Sequence, residues 1–367
     1  MDHPNPAALA AYVAWVGFGV AFVLGAVASH TRFCTMGAIS DIVAMGDWNR
    51  MRMWLMSLAI AILGTAGLQV AGLIDVSKSI YASPSMPWLS HVVGGLLFGA
   101  GMTLASGCGS RTLLRIGTGN LKSLVVAIVM AITAYMTLKG ILAVARTTYI
   151  DPVAINFTVA QDIPTLLSAG ANFSRTAAML AVSLASGISL LVFVLRSADF
   201  RTRDHLLGAI VTGLAVVACW YLSGVVGHLA EDPQSLDERF YGTNSGRMES
   251  LSFVSPLAYT LELFMMWTDK SRVVTLGIAT TLGLCAGSFV HALATRTFRL
   301  ESFRDARDMI SHLAGGAMMG FGGVLALGCT IGQGLSGMST LALGSLISLI
   351  SIGCGAVVTM RWLYRNA

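Results

Sequence analysis

The chain has 367 residues, 55% of them hydrophobic and 11% charged, with a mean hydropathy of +0.74 and a net charge of +5. Soluble domains carry roughly 25% charged residues, so this composition excludes a water-facing globule and makes lipid the main solvent. The 40 glycines suit the same environment, where small residues let helices approach closely, and no interleaving of basic and aromatic residues points to nucleic acid.

Residues 1–6 carry no Lys or Arg, so the start of the chain does not read as a cleaved leader. Nine apolar segments follow. They run from Ala7 to Ala28, Met53 to Ile74, His91 to Ser106, Lys122 to Ala145, Thr176 to Leu195, Leu206 to Leu229, Val273 to Thr295, Ile310 to Leu327 and Leu341 to Leu363. Most approach the roughly 20 residues that cross a bilayer core; those from His91 and Ile310 are shorter and rich in Gly. A tenth run, Leu251 to Trp267, holds Pro256 and Glu262 and reads as interfacial or partly embedded. With the N-terminus outside, fifteen Lys and Arg residues fall on the inner loops and seven on the outer ones. The positive-inside rule therefore predicts a periplasmic N-terminus and a cytoplasmic C-terminus.

Two stretches repeat. HVVGGLLFGAGMTLASGC, from His91 to Cys108, and HLAGGAMMGFGGVLALGC, from His312 to Cys329, match at nine of eighteen ungapped positions. Composition alone explains Gly-rich likeness but not a shared His start and Gly-Cys end. The predicted topology sends the two copies in opposite directions, which makes them inverted repeats of the kind that build transporters. The expected organisation is a single transport domain. Its first half covers about 7–146, its linking helices about 147–270 and its second half about 271–364.

Each copy leads into a polar, Gly-rich stretch, GCGSRTLLRIGTGN from Gly107 and GCTIGQGLSGMST from Gly328. Such backbone cannot face lipid unpaired. It must lie in protein or line a polar cavity, where helix N-termini aim N–H groups at anions. Asn120 and Ser339 or Thr340 are the expected N-caps of the returning helices. A third stretch, SHTRFCTMGAISD from Ser29, places Cys34 at the inner end of the first segment; its counterpart in the second half is not evident.

Of six cysteines, Cys34, Cys108 and Cys329 sit at these breaks. Cys219, Cys285 and Cys354 lie inside apolar segments and read as packing residues. A thiol is a weak donor and a soft, polarizable partner, suited to a sulfur atom. Several weak sites in series favour passage over trapping. The candidate lining is Cys34, Cys108 and Cys329 with Gly107, Gly109, Gly328, Thr330, Gln333 and Arg111, although Arg111 also counts as an ordinary positive-inside residue. Lys139 either snorkels to the outer interface or serves function; His91 and His312 read as interface or packing residues. No CxxC or HxxxH spacing points to a metal, no GxxxxGK[ST] points to ATP, and no cofactor is implied.

These motifs, ASGCGSRTLLR, LALGCTIGQGLSGMSTLALGS and SHTRFCTMGAISD, resemble the YeeE/YedE family over about Gly17 to Cys354. The resemblance implies an all-α polytopic membrane protein of the bacterial inner membrane: about nine transmembrane helices, short re-entrant or broken helices, pseudo-symmetric inverted repeats and an hourglass shape. It further implies thiosulfate uptake past Cys34, Cys108 and Cys329 by S–H hydrogen bonds, without covalent chemistry, and a cytoplasmic TusA-like sulfurtransferase as partner. Long outer segments, Thr147 to Arg175 and Ala230 to Ser271, depart from the compact family pattern, and other sulfur or selenium anions are alternative substrates. Two other classes stay open on the residues: a membrane sulfurtransferase forming a persulfide, and an accessory subunit that conducts nothing.

Overall fold

The computed structural model describes residues 6–170, 174–232 and 237–365. Residues 1–5, on which the leader reading rests, and short pieces of both long outer segments lie outside the described residues. The described chain folds into fourteen α-helices. In chain order they are α1 Pro6–His30, α2 Thr35–Met45, α3 Asn49–Val70, α4 Trp88–Leu104, α5 Gly109–Gly117, α6 Leu121–Lys139 and α7 Ile141–Ala145. There follow α8 Ile163–Gly170, α9 Arg175–Leu195, α10 Arg203–Tyr221, α11 Val254–Met265, α12 Leu276–Ala294, α13 Ala306–Leu325 and α14 Leu343–Arg365. Two antiparallel pairs of two-residue strands, Ser85–Met86 with Ile155–Asn156 and His228–Leu229 with Arg239–Phe240, clip loops together.

Eight helical stretches among the described residues are long and apolar enough to cross a membrane, so the chain is an all-α multi-pass membrane protein. The one expected segment that is not among these eight, Ile310 to Leu327, is α13. It is 20 residues long but begins with Arg307 and Asp308 and is diluted by glycine, and it packs between α4 and α6 rather than against lipid alone. The tenth run becomes α11, 12 residues and too short to span; it lies on α6 and α12 with Glu262 buried. Lys139, at the end of α6, resolves its ambiguity there. Its Nζ is 2.9 Å from Glu262, Arg272 approaches the same carboxylate at 3.3 Å, and the rings of Tyr135 and Tyr259 lie 5.9 and 5.7 Å from the ammonium. The lysine is, with Arg272, an exposed cationic partner of a buried carboxylate.

The centre of the fold is the antiparallel crossing of α4 and α13, built on four glycines from the repeated stretch. A Cβ at Gly94 would lie 2.7 Å from the carbonyl oxygen of Gly322, and one at Gly322 would lie 2.6 Å from that of Gly94. Gly101 and Gly315 meet in the same way, at 2.7 and 2.6 Å. Gly94 matches Gly315 in the repeat and Gly101 matches Gly322, so each glycine touches the equivalent of the other. That reciprocity is the mark of a twofold contact. The twofold extends outward. Gly99 sits on the backbone of Ile352 and Ala356 in α14, and its match Gly320 sits on that of Met130 and Ala134 in α6.

The pairing of α6 with α14 runs one residue longer than that of α4 with α13. The extra residue is absorbed where α5 of the first copy is replaced by a π-helical segment, Gly332–Gly337. A one-residue insertion in a helix is what a π turn accommodates. The insertion also corrects the expected N-caps. Asn120 caps α6, accepting from Ser123 N at 2.9 Å, but neither Ser339 nor Thr340 caps α14. The Ser339 hydroxyl accepts from Trp220 Nε1 at 2.9 Å, the Thr340 hydroxyl donates to Gly337 O at 2.7 Å, and Leu341, in the left-handed region at φ 58°, intervenes. The start of α14 is tied instead to the outer segment, with Leu343 N donating to Gln161 O and Ile163 N donating to Leu341 O.

The remaining long helices add two parallel pairs. In α1 with α12, Gly283 packs on Phe18 and Gly287 on Phe22; in α3 with α10, Gly213 packs on Ile60 and Gly64 on Val217. Replacing Gly99 by Ala should drive a methyl into the Ile352 carbonyl and destabilise the fold by about 1–3 kcal/mol. We expect a lower thermal midpoint in detergent for Gly99→Ala. Gly353→Ala, at a position with open space around it, should leave the midpoint unchanged or slightly raised; equal midpoints for the two variants would refute the close contact of α4 with α14.

Candidate functional site

The three cysteines at the helix breaks are placed by one local device. Helices α1, α4 and α13 each end in a turn closed by a 6→1 hydrogen bond, Phe33 N to Ala28 O, Gly107 N to Met102 O and Gly328 N to Gly323 O. Each turn carries a left-handed residue that is not glycine: Arg32, Ser106 and Leu327, at φ 55°, 54° and 58°. Such caps usually employ Gly there, and non-glycine left-handed residues cost about 1–3 kcal/mol where the surroundings enforce them. The cysteine follows two residues later in all three. Cys34 and Cys108 leave the turn extended and start the next helix.

Cys34 is the N-cap of α2, and its Sγ accepts from Gly37 N at 3.3 Å. Cys108 is the N-cap of α5, with Sγ 3.4 Å from the Ser110 hydroxyl. Cys329 Sγ accepts from Gly332 N at 3.4 Å as the chain enters its π-helical segment. All three are buried and free. The thiols of Cys34 and Cys108 contact each other side chain to side chain, the Thr330 hydroxyl lies against Cys108, and Cys329 is close enough to Cys108 to interact electrostatically. The positive ends of α2 and α5 therefore point at one buried cluster of sulfur atoms.

Of the other residues expected to line the site, Gly107 and Gly328 close the turns, Gly109 opens α5 against Val254 and Met130, and Thr330 joins the cluster. Gln333 donates its backbone N–H to Cys329 O at 2.7 Å. Its side-chain amide nitrogen donates back to Ala326 O, bracing the end of α13. Arg111 borders a cavity of about 540 Å³ at the basic face, shared with Ser106, Arg115, Lys122, Arg299 and Arg304 and with the acidic Glu301 and Asp308. A second cavity, of about 380 Å³, is bordered by Arg146, Asp151, Arg247, Leu325 and Leu327. Ser106 and Leu327 are the left-handed residues ahead of Cys108 and Cys329. The cysteine cluster thus lies between two cavities, each reaching the turn before one thiol.

Among the other cysteines, Cys219 is buried and Cys285 partly buried, its thiol donating to Leu113 O at 3.4 Å. Cys354 corrects the packing expectation: it is exposed on α14. His91 is a buried packing residue, Nδ1 2.7 Å from the Ser348 hydroxyl, and His312 Nδ1 lies 2.8 Å from Asp308 O.

Sequence reasoning missed Phe253 and Tyr81. Phe253 is the N-cap of α11, fully buried, and its backbone N–H is directed at Cys329. Its neighbour Val254 touches both Gly109 and Gly323. Pro256 in the first turn of α11 was the available signal for a helix start there. Tyr81 stands in the loop before α4, buried beside Cys329, and nothing in its sequence context marks it.

Three helix-break turns carrying buried thiols between two cavities, inside a bundle of apolar helices, define a membrane protein with a built polar interior. The chain belongs to the sulphur transport family, the YeeE/YedE family, whose model matches residues 30–358. It is similar to the thiosulfate transporter TsuA of Escherichia coli strain K12, 26% identical over 361 residues that cover 93% of this chain and 92% of that protein. It is also similar to the thiosulfate transporter TsuA of Spirochaeta thermophila, 24% identical over 353 residues covering 95% and 98% of the two chains.

In a variant with Cys219, Cys285, Cys329 and Cys354 replaced by Ala, mild oxidation should consume the Cys34 and Cys108 thiols together, as counted by maleimide labelling after denaturation. Two free thiols surviving treatment would contradict their contact.

Proposed function

We propose that this protein imports thiosulfate across the bacterial inner membrane, with its N-terminus periplasmic and its C-terminus cytoplasmic. The path is an hourglass. It enters by the cavity at Arg146 and Arg247, narrows past Cys329, then Cys108 and Cys34, and leaves through the basic cavity at Arg111. The observation that carries this reading is the cluster of buried thiols held between two cavities. The family membership and the printed function of both relatives support it.

The chemistry follows from the anion. Thiosulfate presents a soft, negatively charged sulfur, and S–H groups donate to it weakly. Arg residues in the cavities gather the anion, the positive ends of α2 and α5 hold its charge at the narrowest point, and weak binding at each thiol lets it move on. No bond to sulfur is made or broken. Delivery to a small TusA-like sulfurtransferase at the basic cavity completes the route.

The same reading divides the chain into inverted halves, α1–α6 and α10–α14. Contacts support it: α1 on α12 is mirrored by α10 on α3, and α2 on α14 by α11 on α6. The second half then begins at Arg203, ahead of the boundary near 271 expected from sequence. Helix α2 pairs with α11, and the counterpart of Cys34 is Phe253.

Purified protein in liposomes should take up thiosulfate and discriminate against sulfate. Cys108→Ala and Cys329→Ala should each abolish uptake, whereas Cys219→Ala and Cys354→Ala should not. Uptake at the wild-type rate by the Cys108→Ala, Cys329→Ala double variant would rule out the thiol relay. A stable sulfur adduct on Cys108, seen by intact mass after incubation with thiosulfate, would replace passage by sulfur transfer.

A further inference from the structure

The thiol relay accounts for one end of its substrate. Thiosulfate also carries three oxygens that share its negative charge, and oxygen acceptors are bound best by O–H and N–H donors, not by the weak S–H. The site holds such donors. Tyr81 is 3% exposed and Thr330 is 0% exposed. Among the described residues, neither hydroxyl has a nitrogen or oxygen partner. A buried hydroxyl left this way costs about 1–3 kcal/mol, and native structures seldom leave one without a reason.

Both hydroxyls belong to the thiol cluster. Thr330 follows Cys329 in the chain and faces Cys108. Tyr81 borders Gly332, the residue whose N–H donates to Cys329 Sγ. A Cβ at Gly332 would lie 3.5 Å from the Tyr81 hydroxyl and 2.7 Å from that of Ser252, so the missing side chain leaves the room these hydroxyls face. The tyrosine ring is held in place. It meets Trp220 edge-on, with centroids 6.1 Å apart at 80°, and Trp220 is pinned through Nε1 to Ser339. Hydroxyls and thiols therefore alternate in the order Tyr81, Cys329, Thr330, Cys108.

We propose that the hydroxyls of Tyr81 and Thr330 bind the oxygens of a sulfonate-bearing anion while Cys329 and Cys108 hold its terminal sulfur, making these two residues determinants of specificity. This inference rests on the thiosulfate-transport reading. It adds to that reading a requirement for oxygen at one end of the substrate: thiols select for the soft sulfur and hydroxyls for the oxyanion.

The test is concentration-dependent thiosulfate uptake into liposomes by the full chain, with thermal midpoints measured on each variant. Tyr81→Phe keeps the ring on Trp220 and removes only the hydroxyl; Thr330→Val keeps the shape. Each should raise KM about tenfold, the loss of one hydrogen bond to a charged group, without lowering the thermal midpoint. Thr330→Ser, which retains a hydroxyl, should restore the wild-type KM. Saturable wild-type uptake with KM unchanged in both Tyr81→Phe and Thr330→Val would overturn the hydroxyl assignment and leave the transport reading standing. No thiosulfate uptake by wild type would overturn both.

Discussion

The structure depends on two helices touching backbone to backbone. Where α4 crosses α13, Gly94, Gly101, Gly315 and Gly322 leave no side chain between the two helices. In lipid there is little hydrophobic drive for helices to associate, so close packing and buried polar contacts must hold them. The four-glycine crossing supplies that packing and also fixes position. Because the contact is reciprocal, it sets α4 and α13 in opposite directions about a common centre. Each helix then ends beside the body of the other, Ala105 against Gly315 and Ala326 against Gly94. The turns bearing Cys108 and Cys329 are carried inside the protein as a result.

Bringing a helix end into the bundle creates a need that the turns then meet. The final carbonyls of one helix and the first N–H groups of the next have no water to bond. The 6→1 closures at Phe33, Gly107 and Gly328 satisfy part of the first set. The thiols of Cys34 and Cys329 satisfy part of the second, each accepting one N–H. Ser, Thr or Asp would cap more strongly, and a stronger cap would hold its N–H groups more firmly against an arriving anion. A thiol is a poor acceptor. Under the proposed route, the segment after it would keep unsatisfied positive character with which to attract an anion.

Much of this was legible in the sequence. The nine matched positions from His91 and His312 include the four glycines of the crossing, those that seat α14 and α6 against it, and the turns with their cysteines, so a pattern of glycines and one cysteine marked the centre of the fold. Three features were not legible, each for a physical reason. The π segment Gly332–Gly337 shifts the second copy by one residue, and no residue type announces a π turn; the N-cap of α14 was therefore misplaced at Ser339 or Thr340. The exposure of Cys354 depends on which side of α14 meets α4, and a GCG triplet is small on every side. Phe253 shares no residue type with Cys34. What the two positions share is a place, the start of a short helix packed on α14 for Cys34 and on α6 for Phe253, and only tertiary contacts reveal it.

Under the proposed halves, Phe253 makes a twofold scaffold carry an asymmetric path. A symmetric path would offer the solute the same partners on either side of its centre. Here the side nearer the basic cavity has two thiols in contact, Cys34 and Cys108. The other side has Cys329 alone, with a buried phenyl ring where the fourth thiol would stand and Tyr81 beside it. The flanking charge follows the same slope, with Arg111, Arg115, Lys122, Arg299 and Arg304 at one cavity and Arg146 and Arg247 at the other. Static asymmetry cannot drive net flow, because a passive path lowers the barrier equally in both directions. Under the proposed route it would set where the anion dwells: the paired thiols and the larger basic cluster would hold it at the end where the proposed sulfur acceptor would meet it.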